Sequence, residues 1–321
     1  ISIDDIDAAV ISSSEIFGAE RHTSAIMSSI FQKKMPIINI MAVCCGGGAA
    51  LWTANKLGYD NVLVIGVEKM LGSSSMKITE DIMTAAEKKY EQSEGLNFPA
   101  QYALIAQQYM LRYGATSDDL ALIAYKNHGN AFSNPKARFY GKKIFMEEIK
   151  NSPVVASPLR LFDCSIPVNG SAAAVLTKNK TGIEIKSSSL FVDRLAAFER
   201  DDMTSSESAR LAASEAYKQA GISPDEIDIA EVHDSFTPAE LISYEDLGFC
   251  KKGQAKELIR NNMTGLNGKL PVNTSGGLKA KGHPISATGI SQIYELVKQM
   301  LNEAGKNQID NIKYALAHNV G

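Results

Sequence analysis

The chain has 321 residues, 45% hydrophobic and 21% charged, enough to bury one large core or two fused halves. A net charge of -3 and a pI near 6.0 leave no basic footprint for nucleic acid or an anionic membrane. No apolar run approaches the roughly 18 residues of a membrane span, and the opening ISIDDIDAAV is acidic and apolar, unlike a secretory leader.

The first segment, ISIDDIDAAVISSS, is an acidic turn followed by an apolar strand. The pattern returns as ISPDEIDIAEVHDS from Ile222, with seven of fourteen positions identical and no gap. The stretch PIINIMAVCCGGGAALWTANKLGYD predicts a strand, a tight Gly-rich turn and a helix closed by Gly58. DNVLVIGVE from Asp60 predicts a buried strand entered by Asp-Asn, and DNIKYALAH from Asp310 repeats that entry. Two matches in the same order argue for a duplicated α/β unit. From Leu71 to about residue 157, the stretches EDIMTAAEKKY, FPAQYALIAQQYMLRYG and TSDDLALIAYKNHGNAF space apolar residues three and four apart, as amphipathic helices do. This region is expected to be a helical insertion, serving as a substrate cap or as a structural layer.

GSAAAVLT from Gly170 predicts the closing strand of the first half. In the second half, a strand GIEIKSSSLF from Gly182 and a helix SSESARLAASEAYKQAG from Ser205 precede the repeat. The first half begins at its repeat and the second stops before a closing strand. An equivalent first strand and helix, roughly 40 residues, and a last strand are therefore expected to lie outside this sequence. The expected fold is α/β, with two similar mixed-sheet halves: residues 1–70 with 158–180, and residues 181–321. Residues 71–157 form the insertion.

The four cysteines, Cys44, Cys45, Cys164 and Cys250, make no C-x-x-C pair and lie at no zinc-ligand spacing from a histidine, so no metal is expected. They also make no disulfide framework, which points to a reduced, cytoplasmic setting. Cys44 and Cys45 fall where a strand turns into a helix. Free N–H groups and the helix dipole at such a junction lower a thiol pKa from about 8.5 and stabilise a nearby oxyanion. The following glycines, Gly47 among them, let a substrate approach the backbone. Two small buried hydrophobes beside turn glycines fit the same residues. Three of the five histidines, His233, His283 and His318, follow strands or loops of the second half. Strand ends are where α/β sheets bind ligands, and three histidines converging on one edge argue for catalysis.

The run C-C-G-G-G-A-A from Cys44 resembles the nucleophile motif of the thiolase superfamily, usually C-A-S-G-G-A-A. Ala49 and Ala50 set the register, which makes Cys44 the nucleophile; Cys45 and Gly46 depart from the usual Ala and Ser. GVEKM from Gly66 and SPLRLFDCSIPVNGSAAAVL from Ser157 are similar to the family as well, and make Cys164 a structural position. GHPISATG resembles the family's G-H-P-x-G-A-T-G, with Ser286 in place of the second Gly. The H-D-x-F around His233 and the terminal H-N-x-G resemble the sterol carrier protein-type and archaeal thiolases. The resemblance covers essentially the whole chain.

It implies that His283 activates Cys44 and binds the thioester oxygen, that His233 contributes to an oxyanion hole, and that His318 stands where other branches carry a second catalytic cysteine. Gly47, Ser275, Gly276, Gly277, Lys281 and Asn319 are implied contacts for substrate and coenzyme A, and Lys279 and Lys281 are candidates for its phosphates. Archaeal-type relatives commonly read H-D-C-F with that cysteine as second acid/base; here the position is Ser235, a weak proton-transfer group. The implied reaction is acyl transfer, two acetyl-CoA giving acetoacetyl-CoA and CoA through acyl-Cys44, feeding the mevalonate pathway. No cofactor is expected beyond the coenzyme A of the substrate. Implied partners are a second copy of the chain (a homodimer or dimer of dimers), hydroxymethylglutaryl-CoA synthase and a small OB-fold zinc-ribbon protein. The rival readings are a thiolase-like CoA-ester aldolase and a catalytically impaired scaffold subunit.

Overall fold

The computed structural model describes residues 1–16, 22–72 and 74–321. The first half is built from β1 (Ala8–Ser12), α1 (Thr23–Phe31), β2 (Ile37–Ile40), α2 (Gly46–Lys56) and β3 (Asn61–Glu68). A helical region follows, with α3 (Ser75–Met83), α4 (Phe98–Tyr113), α5 (Ser117–Ser133) and α6 (Met146–Lys150). The short strands β4 (Val154–Ala156) and β5 (Leu159–Arg160) lead to β6 (Gly170–Thr177). The second half carries α7 (Glu207–Ala220), β7 (Ile229–Glu231), α8 (Thr237–Asp246), α9 (Ala255–Arg260), α10 (Gly277–Ala280), α11 (Thr288–Met300) and β8 (Ala315–Ala317). None of the described helices is long and apolar enough to cross a membrane.

The first sheet runs β2-β1-β3-β6, with β1 parallel to β2 and β3, and β6 antiparallel to β3. Every residue of the central strand β1 is buried, whereas β3 alternates, placing Val62 and Val64 in a core with Val10, Leu51, Ala54 and Ile290. In the second half β7 pairs parallel with β8, as β1 does with β3. The expected strand at 182–191 is absent. Its alternating Ile183 and Ile185 meet no neighbouring strand, and a strand forms only where a ladder partner is available.

One device recurs in both halves. The Asp7 N–H donates to the Asn61 carbonyl (2.9 Å), and the Asp7 carboxylate accepts from the Asn61 N–H (2.8 Å). Asp228 does the same with Tyr314, at 2.9 and 2.8 Å. Asp7 and Asp228 are the pair that the sequence repeat aligns. Their partners show, however, that Asn61 corresponds to Tyr314, so the Asp60–Asp310 alignment is three residues out of register.

The helical region packs on the second half. Tyr109 of α4 and Leu120 and Ile123 of α5 share a core with Leu241 and Tyr244 of α8. Helix α5 starts at a capping box in which Asp119 accepts from the Thr116 N–H, and the same carboxylate pairs with Arg260 at 2.7 Å.

The two halves meet most closely where α2 and α11 begin. A Cβ at Gly47 would stand 2.8 Å from the Gly289 nitrogen and 3.0 Å from the Ser286 carbonyl oxygen; one at Gly289 would overlap Gly48 and the Asn319 side chain. These glycines admit a second helix rather than a substrate, which corrects the expectation for Gly47. Because the obstruction is backbone, it cannot rotate away. Gly289→Ala is therefore expected to cost on the order of 1–3 kcal/mol or more, read as a lower urea midpoint at constant m-value. An unchanged midpoint would show that the contact is loose.

Candidate active site

Cys44 lies in a 3-10 turn, Val43–Cys45, immediately before α2. His233 follows β7 by two residues, and His283 precedes the turn into α11. These positions bring the Cys44 sulfur and one ring nitrogen of each histidine within 4.8 Å of one another, and the two rings lie edge to face at 5.2 Å. Thus the nucleophile candidate comes from the first half and both histidines from the second. Among the described residues this is also the group of Cys, His and carboxylate donors close enough together to hold a cation, although the spacing in sequence suggested none.

The hydrogen bonds fix the tautomers. Thr288 Oγ1 donates to the Pro284 carbonyl (3.3 Å), so the 2.7 Å contact between His283 Nδ1 and Thr288 Oγ1 is a donation from the ring. His283 Nε2 is then a lone pair, and it is buried without a protein partner. Asn319 behaves in the opposite sense. Its Oδ1 accepts from the Gly48 N–H (3.0 Å), which leaves Nδ2 to donate to the Cys44 carbonyl (3.1 Å) and to His233 Nδ1 (3.0 Å). His233 Nε2 therefore carries a proton. One ring offers a base and the other a donor.

Burial sets the charge state. Cys44 retains some accessible surface, yet dense packing around its sulfur, then Cys45 and the buried Glu68, push the thiol up to about 12. This overturns the expectation of a lowered thiol pKa: desolvation outweighs the helix start. Burial likewise pushes His283 down to about 3, and drives His233 well below its ordinary value with help from its two histidine neighbours. At rest the thiol and both imidazoles are neutral.

His318 stands just after β8, with burial lowering it to about 4. Ser243 Oγ gives its proton to the Ala239 carbonyl (2.8 Å) and so accepts from His318 Nδ1 at 3.4 Å, leaving His318 Nε2 as a lone pair. His318 and His233 open on a cavity of about 50 Å³ that is also lined by Tyr102, Ile105, Arg200 and Ile242. A larger polar groove, about 330 Å³, runs along Gln299, Asn302 and Asp310, away from the cysteine. Ser235 is buried, with its carbonyl accepting from the Ser165 N–H at 2.8 Å.

The residues expected to meet coenzyme A face inward. Lys279 is 1% exposed and its Nζ donates to the backbone carbonyls of Asp163 and Asp234, each at 3.2 Å. Lys281 Nζ is buried 3.6 Å from Glu295. Ser275 is held by Glu231, through Oγ at 2.6 Å and through its N–H at 3.0 Å. Gly276 has φ +102° with Ala131 against it, and Gly277 packs on the Asp234 carboxylate. A Gly-rich loop beside lysines is here a buried strut, because Asp234 and Glu231 draw its donors inward. Tyr102, Thr288 and Glu68 were not singled out in sequence. Thr288 and Glu68 lie within GHPISATG and GVEKM, but Tyr102 had no signal.

The Ltp2-ChsH2(DUF35) aldolase superimposes over all of this chain and 85% of its own, with a TM-score of 0.82 at 24% identity. The human mitochondrial 3-ketoacyl-CoA thiolase does so over 100% and 86%, with a TM-score of 0.70 at 15% identity. The architecture is the thiolase fold. Residues 190–321 match the family model "Thiolase C-terminal domain-like". Acetyl-CoA acetyltransferase of Methanothermobacter thermautotrophicus is 38% identical over 99% of this chain and 86% of its own length. Human sterol carrier protein 2 is 32% identical over 92% of this chain and 58% of its own. The chain belongs to the thiolase family of acyltransferases.

Proposed function

We propose that the protein condenses two molecules of acetyl-CoA to acetoacetyl-CoA and CoA, and catalyses the reverse thiolysis, through an acyl group carried on Cys44. The observation that carries this reading is the trio itself: a cysteine with a lone-pair imidazole and an N–H imidazole, all within 4.8 Å. His283 Nε2 takes the thiol proton as the sulfur attacks the thioester carbon. The His233 Nε2–H supports the oxygen on which charge develops, with Asn319 fixing its orientation. A cavity of about 50 Å³ beside His233 suits a short acyl chain. An aldolase without a covalent intermediate has no use for a cysteine in this position, and a mere scaffold has no use for two fixed tautomers.

Within this reading coenzyme A thioesters are the ligands, with no further cofactor, and the mevalonate route is the consumer of the product. The cytoplasm is the compartment, and a second copy of the chain, hydroxymethylglutaryl-CoA synthase and an OB-fold zinc-ribbon protein are the partners. The test is incubation of the purified protein with acetyl-CoA alone. Release of CoA with acetoacetyl-CoA formation is expected; neither product appearing would overturn the reading.

A further inference from the structure

The carbon–carbon step needs a group that handles the α-carbon proton, and the trio leaves that role open. His283 is committed to Cys44 and His233 to the oxyanion. Ser235 has only an alcohol proton. Tyr102, on α4, stacks on Phe236, the next residue, with ring centroids 4.5 Å apart and planes at 25°. It shares a cavity with His318 and with His233, whose ring lies within 4.8 Å of the Cys44 sulfur. Arg200 lines the same cavity; its Nε is buried without a hydrogen-bond partner, and it takes part in none of the ion pairs found among the described residues.

We propose that Tyr102 is the acid/base of the carbon–carbon step, with its stack on Phe236 orienting the ring and Arg200 serving as counter-charge to the phenolate. The proposal rests on the acyl-Cys44 reading above. In thiolysis the Cys44 thiolate attacks the 3-keto carbon, the C2–C3 bond breaks, and its electron pair forms the acetyl-CoA enolate. The Tyr102 O–H bond then breaks as a C–H bond forms at the enolate α-carbon, giving acetyl-CoA and a phenolate. The His283 imidazolium returns its proton to that phenolate; CoA–SH then gives its proton to His283 as its sulfur attacks the acyl carbon, and Cys44 departs as a thiolate that takes that proton back. Condensation is the reverse, with the phenolate as base. Burial raises the phenol while Arg200 opposes that rise. A raised phenol still protonates an enolate carbon, which is the stronger base. Arg200 acts as a positioning residue through its charge on Tyr102.

Tyr102→Phe separates the half-reactions. Acetyl exchange between acetyl-CoA and labelled CoA, which needs only Cys44 and His283, is expected within about threefold of wild type, while thiolysis of acetoacetyl-CoA falls by on the order of 10²-fold or more. Wash-in of solvent deuterium at the α-carbon of acetyl-CoA is expected to fall in parallel. If Tyr102→Phe does not fold, Arg200→Gln reads the same arrangement. Without the guanidinium, the pH at which condensation reaches half its maximum is expected to move upward. Thiolysis within threefold of wild type in Tyr102→Phe, or an unmoved pH profile in Arg200→Gln, overturns the proposal. Failure of the underlying reading is distinct, since it appears as absence of acetyl exchange in the wild-type protein.

Discussion

Cys44→Ala is expected to abolish acetyl transfer onto the protein and to lower thiolysis by about 10⁴-fold or more, because removing a nucleophile leaves only binding and electrostatic contributions. After exposure to acetyl-CoA, peptide mapping should find the acetyl group on Cys44 and none in the variant. Cys45 is next to it, but its sulfur donates to the Ala42 carbonyl at 3.1 Å, and the trio of converging donors excludes it. An acetyl group on Cys45 that survives Cys44→Ala would sink the assignment.

The second large effect is expected at His283. With the thiol near 12 and the imidazole near 3, no net proton is gained or lost by the neutral pair between those values. Wild-type acylation is therefore expected to be flat from about pH 5 to about pH 9. His283→Asn should lower it by on the order of 10²- to 10⁴-fold. The variant's rate should then climb about tenfold per pH unit, because only the rare thiolate reacts and its population rises with pH below the thiol's pKa. A wild-type rate that climbs and then levels near pH 8.5 would mean that the thiol titrates as a free one does.

The trio's residues were visible in the sequence because each stands in a local motif at a strand end or a helix start. Their protonation states were not, since desolvation is a property of the packed surroundings. The helix start at Cys44 is real, but it acts on a sulfur that the fold has already enclosed. The duplication was legible in the acidic turn before β1 and β7, where the same aspartate grips the next strand. The Asp-Asn at 310 misled because the grip is made with the backbone N–H groups of Lys313 and Tyr314, which any residue supplies. Lys279 misled for a similar reason: a lysine next to glycines looks solvated until Asp163 and Asp234 are placed around it. Tyr102 was hidden more deeply, because a helical pattern shows that a side chain points inward and not what it meets there.

The contact between α2 and α11 sets a limit on how this molecule can change. Cys44 and His283 belong to different halves, and glycines let α2 and α11, the helices that follow them, touch main chain to main chain. Side-chain contacts have play, since a rotamer can shift by several tenths of an ångström to absorb a neighbour's change. Main-chain contacts have much less, so the spacing of Cys44 and His283 is held by the packing of one backbone on the other. A displacement of about 1 Å at reacting atoms can cost on the order of 100-fold in rate. Substitutions that reshape the cavity beside His233 and His318 are thereby expected to leave the Cys44–His283 spacing unchanged.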